Sequence, residues 1–154
     1  MAANTQTIPS LPEHSQLSAI TQQSWFANDL DPAQVDYARL WVAGLLDTAV
    51  SVNASDVHLY RTASGIWVRW RIDGVLQTVG TFPAGESSDV ITRLKVLAGL
   101  LTYRSDVPQE GRLQDDADAS TADASTVEMR LSTFATLHGE SSVIRGFAAY
   151  QSLS

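Results

Sequence analysis

The sequence predicts an α+β fold: a mostly antiparallel sheet of about six strands with helices packed on one face. Three observations carry that prediction. Two stretches with apolar residues at helical spacing each precede a group of three strand-like segments. Residues 66–72 alternate strictly, with Ile66, Val68, Trp70 and Ile72 on one side and Trp67, Arg69 and Arg71 on the other, which is the period of a half-buried strand. Asp73-Gly74 follows at once, a pair suited to a tight hairpin turn that requires positive φ.

Composition sets the outer limits. A chain of 154 residues, 44% of them hydrophobic, supports one packed domain rather than two large ones. Ten basic against 17 acidic residues give a net charge of −7, which argues against nucleic acid as a partner because such binding rests on neutralising many phosphates. The absence of cysteine excludes disulfides, thiolate metal sites and thiol catalysis. No apolar run reaches the roughly 18 residues of a membrane span, and no basic segment followed by an apolar core opens the chain. These features predict a cytoplasmic domain without direct membrane insertion.

Taken in order, residues 1–30 read as a flexible tail or linker rich in Ser, Thr, Gln and Pro, with Trp25 and Phe26 able to dock it, and residues 31–150 as the domain. Asp31-Pro32 has the form of a helix start, with Asp31 as N-cap. Ala38, Trp41, Val42, Leu45, Leu46 and Ala49 then mark an apolar helix face ending near Val50. Asn53-Ala54-Ser55 breaks it, and Asp56 to Arg61 reads as a short strand. After Gly65 the alternating strand runs to Ile72, turns at Asp73-Gly74 and returns from Val75 to Phe82. A second helix from Glu86 or Ser88 places Val90, Leu94, Leu97 and Leu101 on one face, with Arg93 and Lys95 outside it. Val107 to Leu113 reads as a loop entering a strand, and the acidic Asp115 to Asp123 as a flexible hairpin tip. The last hairpin has Val127, Met129 and Leu131 on one face of its first arm and Glu128, Arg130 and Ser132 on the other. It turns at His138-Gly139-Glu140 and returns through Val143-Ile144-Arg145, before a frayed end at Gln151 to Ser154.

Few residue patterns suggest chemistry. Gly80 to Ser87 has the frame of a phosphate loop, but Glu86 stands where the lysine belongs and Pro83 removes an amide, so it reads as a plain connection. Asp116 and Asp118 resemble the opening of a calcium loop that lacks its glycine and closing glutamate. Asp56 and His58 share a strand face and can pair, yet no nucleophile motif accompanies them, which favours a structural hydrogen bond. Six arginines remain: Arg69, Arg71, Arg93, Arg112, Arg130 and Arg145. Arg130 and Arg145 fall on the two arms of one hairpin, and a converged set of guanidinium groups forms an anion clamp through bidentate, charge-assisted bonds.

Five segments, in order, resemble a known family. They are Ala54-Ser55-Asp56-Val57-His58-Leu59, Val68 to Leu76 with Arg71, Asp73 and Gly74 at its turn, Arg93 to Gly99, Pro108-Gln109-Glu110-Gly111-Arg112, and Arg130 to Thr133 through Gly139-Glu140 to Arg145. Together they are similar to the N-terminal, PAS-like domain of the type II secretion and type IV pilus assembly ATPases. The resemblance implies a domain that precedes a RecA-like ATPase domain, in hexameric rings peripheral to the inner membrane. It implies that Arg130 and Arg145, with Arg112 as a third, contact nucleotide phosphate, and that Asp56, His58, Arg71, Asp73, Gly74, Gly139 and Glu140 are structural or interface positions. The phosphate loop with its lysine and the acidic Mg²⁺ motif are missing from these residues. The chain is therefore expected to have no catalytic residues, no metal site and no intrinsic cofactor, and to meet ATP and Mg²⁺ only through a partner or a missing ATPase domain. Ser105-Asp106, Ser141 and Gly146-Phe147 depart from the family pattern. The implied partners are a secretion or pilus ATPase and inner-membrane assembly proteins. A small-ligand sensor, with Trp67, Trp70 and Phe82 lining a pocket, is the alternative.

Overall fold

A computed structural model describes residues 26–114 and 128–146. A 3-10 turn at Phe26–Asp29 leads to helix α1 (Tyr37–Ser51). Strands β1 (Asp56–Thr62), β2 (Gly65–Ile72) and β3 (Val75–Phe82) follow, then helix α2 (Val90–Leu97) and strands β4 (Gln109–Arg112), β5 (Arg130–Thr136) and β6 (Gly139–Arg145). The six strands form one sheet in the order β3-β2-β1-β6-β5-β4, and every pairing in it is antiparallel. The sheet is thus two three-stranded meanders joined in the middle by β1 and β6, the first strand of one and the last strand of the other. The expected α+β architecture is present.

Local chemistry explains most of these elements. In β2 the burial pattern alternates without a break, as its sequence does. At the β2–β3 turn both residues take positive φ, 53° at Asp73 and 80° at Gly74, the geometry of a two-residue turn that follows strand twist. The β5–β6 turn consists of Leu137 and His138, because Thr136 pairs directly with Gly139. That places Gly139 and Glu140 in the strand rather than in the turn expected from the sequence.

The helix starts differ from expectation. Asp31 does cap backbone, with Ala33 N–H donating to its Oδ1 at 3.0 Å. The bond that follows, Gln34 N–H to the Asp31 carbonyl, spans three residues and belongs to a turn. The α-helix begins only at Tyr37, after Asp36. Helix α2 begins at Val90 because Asp89, in an extended conformation, accepts from the N–H groups of Ile91 and Thr92. It ends at Leu97, with Gly99 at φ +71°, so Leu101 lies beyond it and is 46% exposed instead of extending its apolar face.

Both helices cover one face of the sheet. Trp41, Val42 and Leu45 of α1 and Val90, Ile91 and Leu94 of α2 share a core with Val57, Leu59, Ile66, Val68, Trp70, Leu131 and Ile144. Trp41 meets Phe82 edge to face, and the Tyr37 hydroxyl donates to the Pro83 carbonyl at 2.6 Å. Burial pushes the Tyr37 phenol up to about 12. The opposite face, bearing Asp56, His58, Tyr60, Trp67, Arg69, Arg71, Ser132, Phe134, Val143 and Arg145, has no described helix over it. Val143 is buried by its neighbours on that face yet stands outside the core cluster. Of the expected tail, residues 1–30, the last few are ordered into the 3-10 turn with Ala27 in the core, while residues 1–25, the hairpin tip at Asp115 to Asp123 with its calcium-like aspartates, Val127 and the end from Phe147 lie outside the described residues.

Candidate functional site

The register of the sheet assembles a row that the linear sequence leaves scattered. Arg71 on β2 pairs with Asp56 on β1, Asp56 with Arg145 on β6, Arg145 with Arg130 on β5, and Arg130 with Arg112 on β4. Directly opposed residues of an antiparallel pair project to the same face, so these five side chains run across five strands on the helix-free face. Residue 71 sits at the end of β2, 56 at the start of β1, 145 at the end of β6, 130 at the start of β5 and 112 at the end of β4. The row is therefore also one end of the sheet.

Asp56 is its single carboxylate and is fully engaged. Ser55 Oγ donates to its Oδ1 at 2.8 Å, His58 Nε2 meets its Oδ2 at 2.5 Å, and Arg71 Nε lies 3.5 Å from Oδ1. Burial works to raise the Asp56 pKa, but the hydrogen bonds from Ser55 and His58 and the charges of His58 and Arg71 outweigh it and hold the carboxyl below its ordinary value. Arg71 also donates to the Gly74 carbonyl at 3.3 Å, tying the row to the β2–β3 turn. Arg145 faces Asp56 across the ladder but has no ion-pair partner among the described residues. Arg130 and Arg112 are exposed, each near one glutamate: Arg130 Nε lies 3.3 Å from Glu110, and Arg112 Nη1 lies 3.5 Å from Glu128. Three adjacent guanidinium groups on an exposed sheet end can grip a group with several anionic oxygens, and phosphate is the natural fit.

Sequence reasoning missed residues that matter here. Lys95, expected outside the α2 apolar face, is 0% exposed. Its Nζ donates to both carboxylate oxygens of Glu140, at 2.8 and 3.0 Å, and to the Arg104 carbonyl at 2.7 Å. Position 95 follows Leu94 and lies one turn after Ile91, so it borders the buried stripe, but its counter-charge is 45 residues away. Glu140 is accordingly a buried, helix-facing residue. Arg61 donates to the Glu140 carbonyl at 3.0 Å and pairs at 2.8 Å with Asp89, the α2 cap. Gly139 lies against Arg61, where a Cβ would come within 2.4 Å of Cδ. Glu110 and Glu128 had a signal in their spacing, each two residues before an arginine on the same strand face.

Other expectations separate. The pocket aromatics do not converge: Trp67 lies on the helix-free face with Arg69 stacked 4.2 Å over its ring, whereas Trp70 and Phe82 face the helices. The two tryptophans are an odd number of residues apart on a regular strand, which puts them on opposite faces. Among the described residues no group of three or more His, Asp or Glu side chains is placed to hold a metal ion, and no helix is long and apolar enough to cross a membrane.

Residues 35–153 match the family model described as type II/IV secretion system protein. This chain belongs to that family. Within it, the chain is 41% identical over 103 residues to the type IV pilus assembly ATPase TfpB of Acinetobacter baylyi, a match covering 67% of this chain and 17% of the relative. It is 34% identical over 108 residues to the type IV pilus assembly ATPase PilB of Thermus thermophilus, covering 70% of this chain and 12% of the relative. It is 37% identical over 101 residues to the type II secretion system protein E of Xanthomonas campestris pv. campestris, covering 66% and 17%. The secretion-family chain thus spans at most 17% of the length of these three relatives.

Proposed function

We propose that this chain is a non-catalytic, PAS-like module that works in the assembly or regulation of a secretion or pilus machine by docking on an ATPase or assembly partner. In this reading Arg145 and Arg130, with Arg112 beside them, contact the phosphates of a nucleotide held mainly by that ATPase. The observation that carries the reading is the in-register arginine row on the helix-free face. Three cations set side by side in a sheet repel one another, and a group with several anionic oxygens relieves that repulsion. Arg145, opposite a carboxylate already committed to other partners, is the one whose charge is least compensated. Membership of a family that includes type II secretion and type IV pilus ATPases supports nucleotide phosphate as that anion. The guanidinium groups would stabilise phosphate charge and make docking depend on nucleotide state.

Capture of secretion or pilus ATPases by the chain from its own cell, with and without ATP, tests the proposal. Nucleotide-dependent capture weakened by Arg130→Ala and Arg145→Ala is the expected result. Capture of no ATPase, or capture indifferent to both substitutions, would sink it.

A further inference from the structure

The arginine row carries its own anions. Arg112 and Arg130 oppose each other across β4 and β5. Glu110 lies two residues from Arg112 on one side of that pair, and Glu128 two residues from Arg130 on the other. Each glutamate reaches diagonally to the arginine of the other strand segment, at 3.3 Å for Glu110–Arg130 and 3.5 Å for Glu128–Arg112. All four side chains are more than half exposed, between 54% and 58%. Pairs of that kind are loose, since water and salt compete for both partners. They still offset the repulsion of two like charges set directly opposite. Arg145, next along the row, has no such carboxylate among the described residues.

We propose that Glu110 and Glu128 are displaceable counter-anions that set the affinity of the row for polyphosphate. This rests on the reading of the row as a phosphate-contacting surface. An incoming phosphate meets Arg145 first, because nothing has to leave. Engaging Arg130 and Arg112 then requires the two glutamates to swing away from them into water. A group carrying two or more negative charges close together replaces them, since it can serve neighbouring guanidinium groups at once. A lone monoanion has no such advantage over a tethered carboxylate. Glu110 and Glu128 thereby act as positioning and selectivity residues, holding the guanidinium groups in place while excluding weak anions.

The test is calorimetric titration of sodium tripolyphosphate into the 154-residue chain at fixed ionic strength, for the wild type, Glu110→Gln, Glu128→Gln, Arg145→Ala and Arg130→Ala. Removing either carboxylate should tighten binding roughly twofold to fivefold, the range expected from loss of one exposed competing pair. Arg145→Ala and Arg130→Ala should weaken it. A purely structural role for the glutamates would lower the unfolding midpoint and leave the affinity unchanged. Unchanged or weaker binding in both glutamine variants, with Arg145→Ala still reducing affinity, would overturn the counter-anion proposal and leave the arginine reading standing. Binding that neither arginine substitution alters, or no binding by wild type and glutamine variants alike, would overturn both.

Discussion

Lys95–Glu140 and Arg130–Glu110 join similar groups on opposite sides of one sheet. The first pair is closed off by α2 and the loop at Arg104, with side chains only 1% and 9% exposed, and the lysine has three oxygen acceptors within 3.0 Å. The second stands in water at 54% and 58% exposure, with one contact of 3.3 Å. A buried pair holds because breaking it strands a charge where water cannot reach it, so it behaves as a fixed strut between α2 and β6. An exposed pair exchanges readily with solvent ions, so it suits a surface that must release one anion to take another. The same two kinds of side chain serve as structure on one face and as a replaceable contact on the other. Burial makes the difference.

The comparison breaks most visibly at Glu140. Glu140→Ala should cost about 3–5 kcal/mol in urea denaturation, because Lys95 is left charged and unpaired in the interior. Leu131 lies one residue from Arg130 but projects to the helix side, and Leu131→Ala should cost about 2–5 kcal/mol by the same measurement. Asp89→Ala removes the α2 cap together with the partner of Arg61, and a loss of about 1–2 kcal/mol is expected.

Asp56 sharpens the contrast through pH. Its folded-state pKa lies below the ordinary aspartate value. The associated stabilisation is therefore complete above the ordinary carboxylate range and disappears as pH falls through the folded value. Asp56→Asn should show a shallower loss of stability than wild type when denaturation is followed downward from about pH 6 to pH 2. An equally steep loss would remove Asp56 from the account. The smallest effect belongs to the open face: Arg130→Ala should change stability by no more than about 0.5 kcal/mol. A loss as large as that of Glu140→Ala would mean that the two faces do not differ as described.

Sheet content and strand faces were legible because they are local. Alternation in β2, the Asp73-Gly74 turn and the stripe from Ala38 to Ala49 each lie within a few residues of one another, and each is realised as the sequence implied. Helix boundaries were less legible. Asp31 and Asp89 are both capping residues, but only the second is followed at once by a helix. A local hydrogen bond can cap a single turn as readily as a helix, and the packing that decides between them is not local. The arginines of the last hairpin could be read as a pair from their places on its two arms. Their alignment with Arg112 depends on β4 pairing with β5, and their alignment with Asp56–Arg71 on β1 pairing with β6, where Asp56 meets Arg145 from the far end of the domain.

The sequence by itself determined an α+β domain, the β2–β3 hairpin, the apolar sides of β2 and β5 and the motifs of the secretion family. Those follow from side-chain period and turn chemistry, which act over a few residues. Only the tertiary structure decided the order β3-β2-β1-β6-β5-β4, the row it assembles and the burial of Lys95 against Glu140. Strand register and charge pairing depend on which distant segments share a surface and on where water is excluded, and no short stretch of chain carries that information.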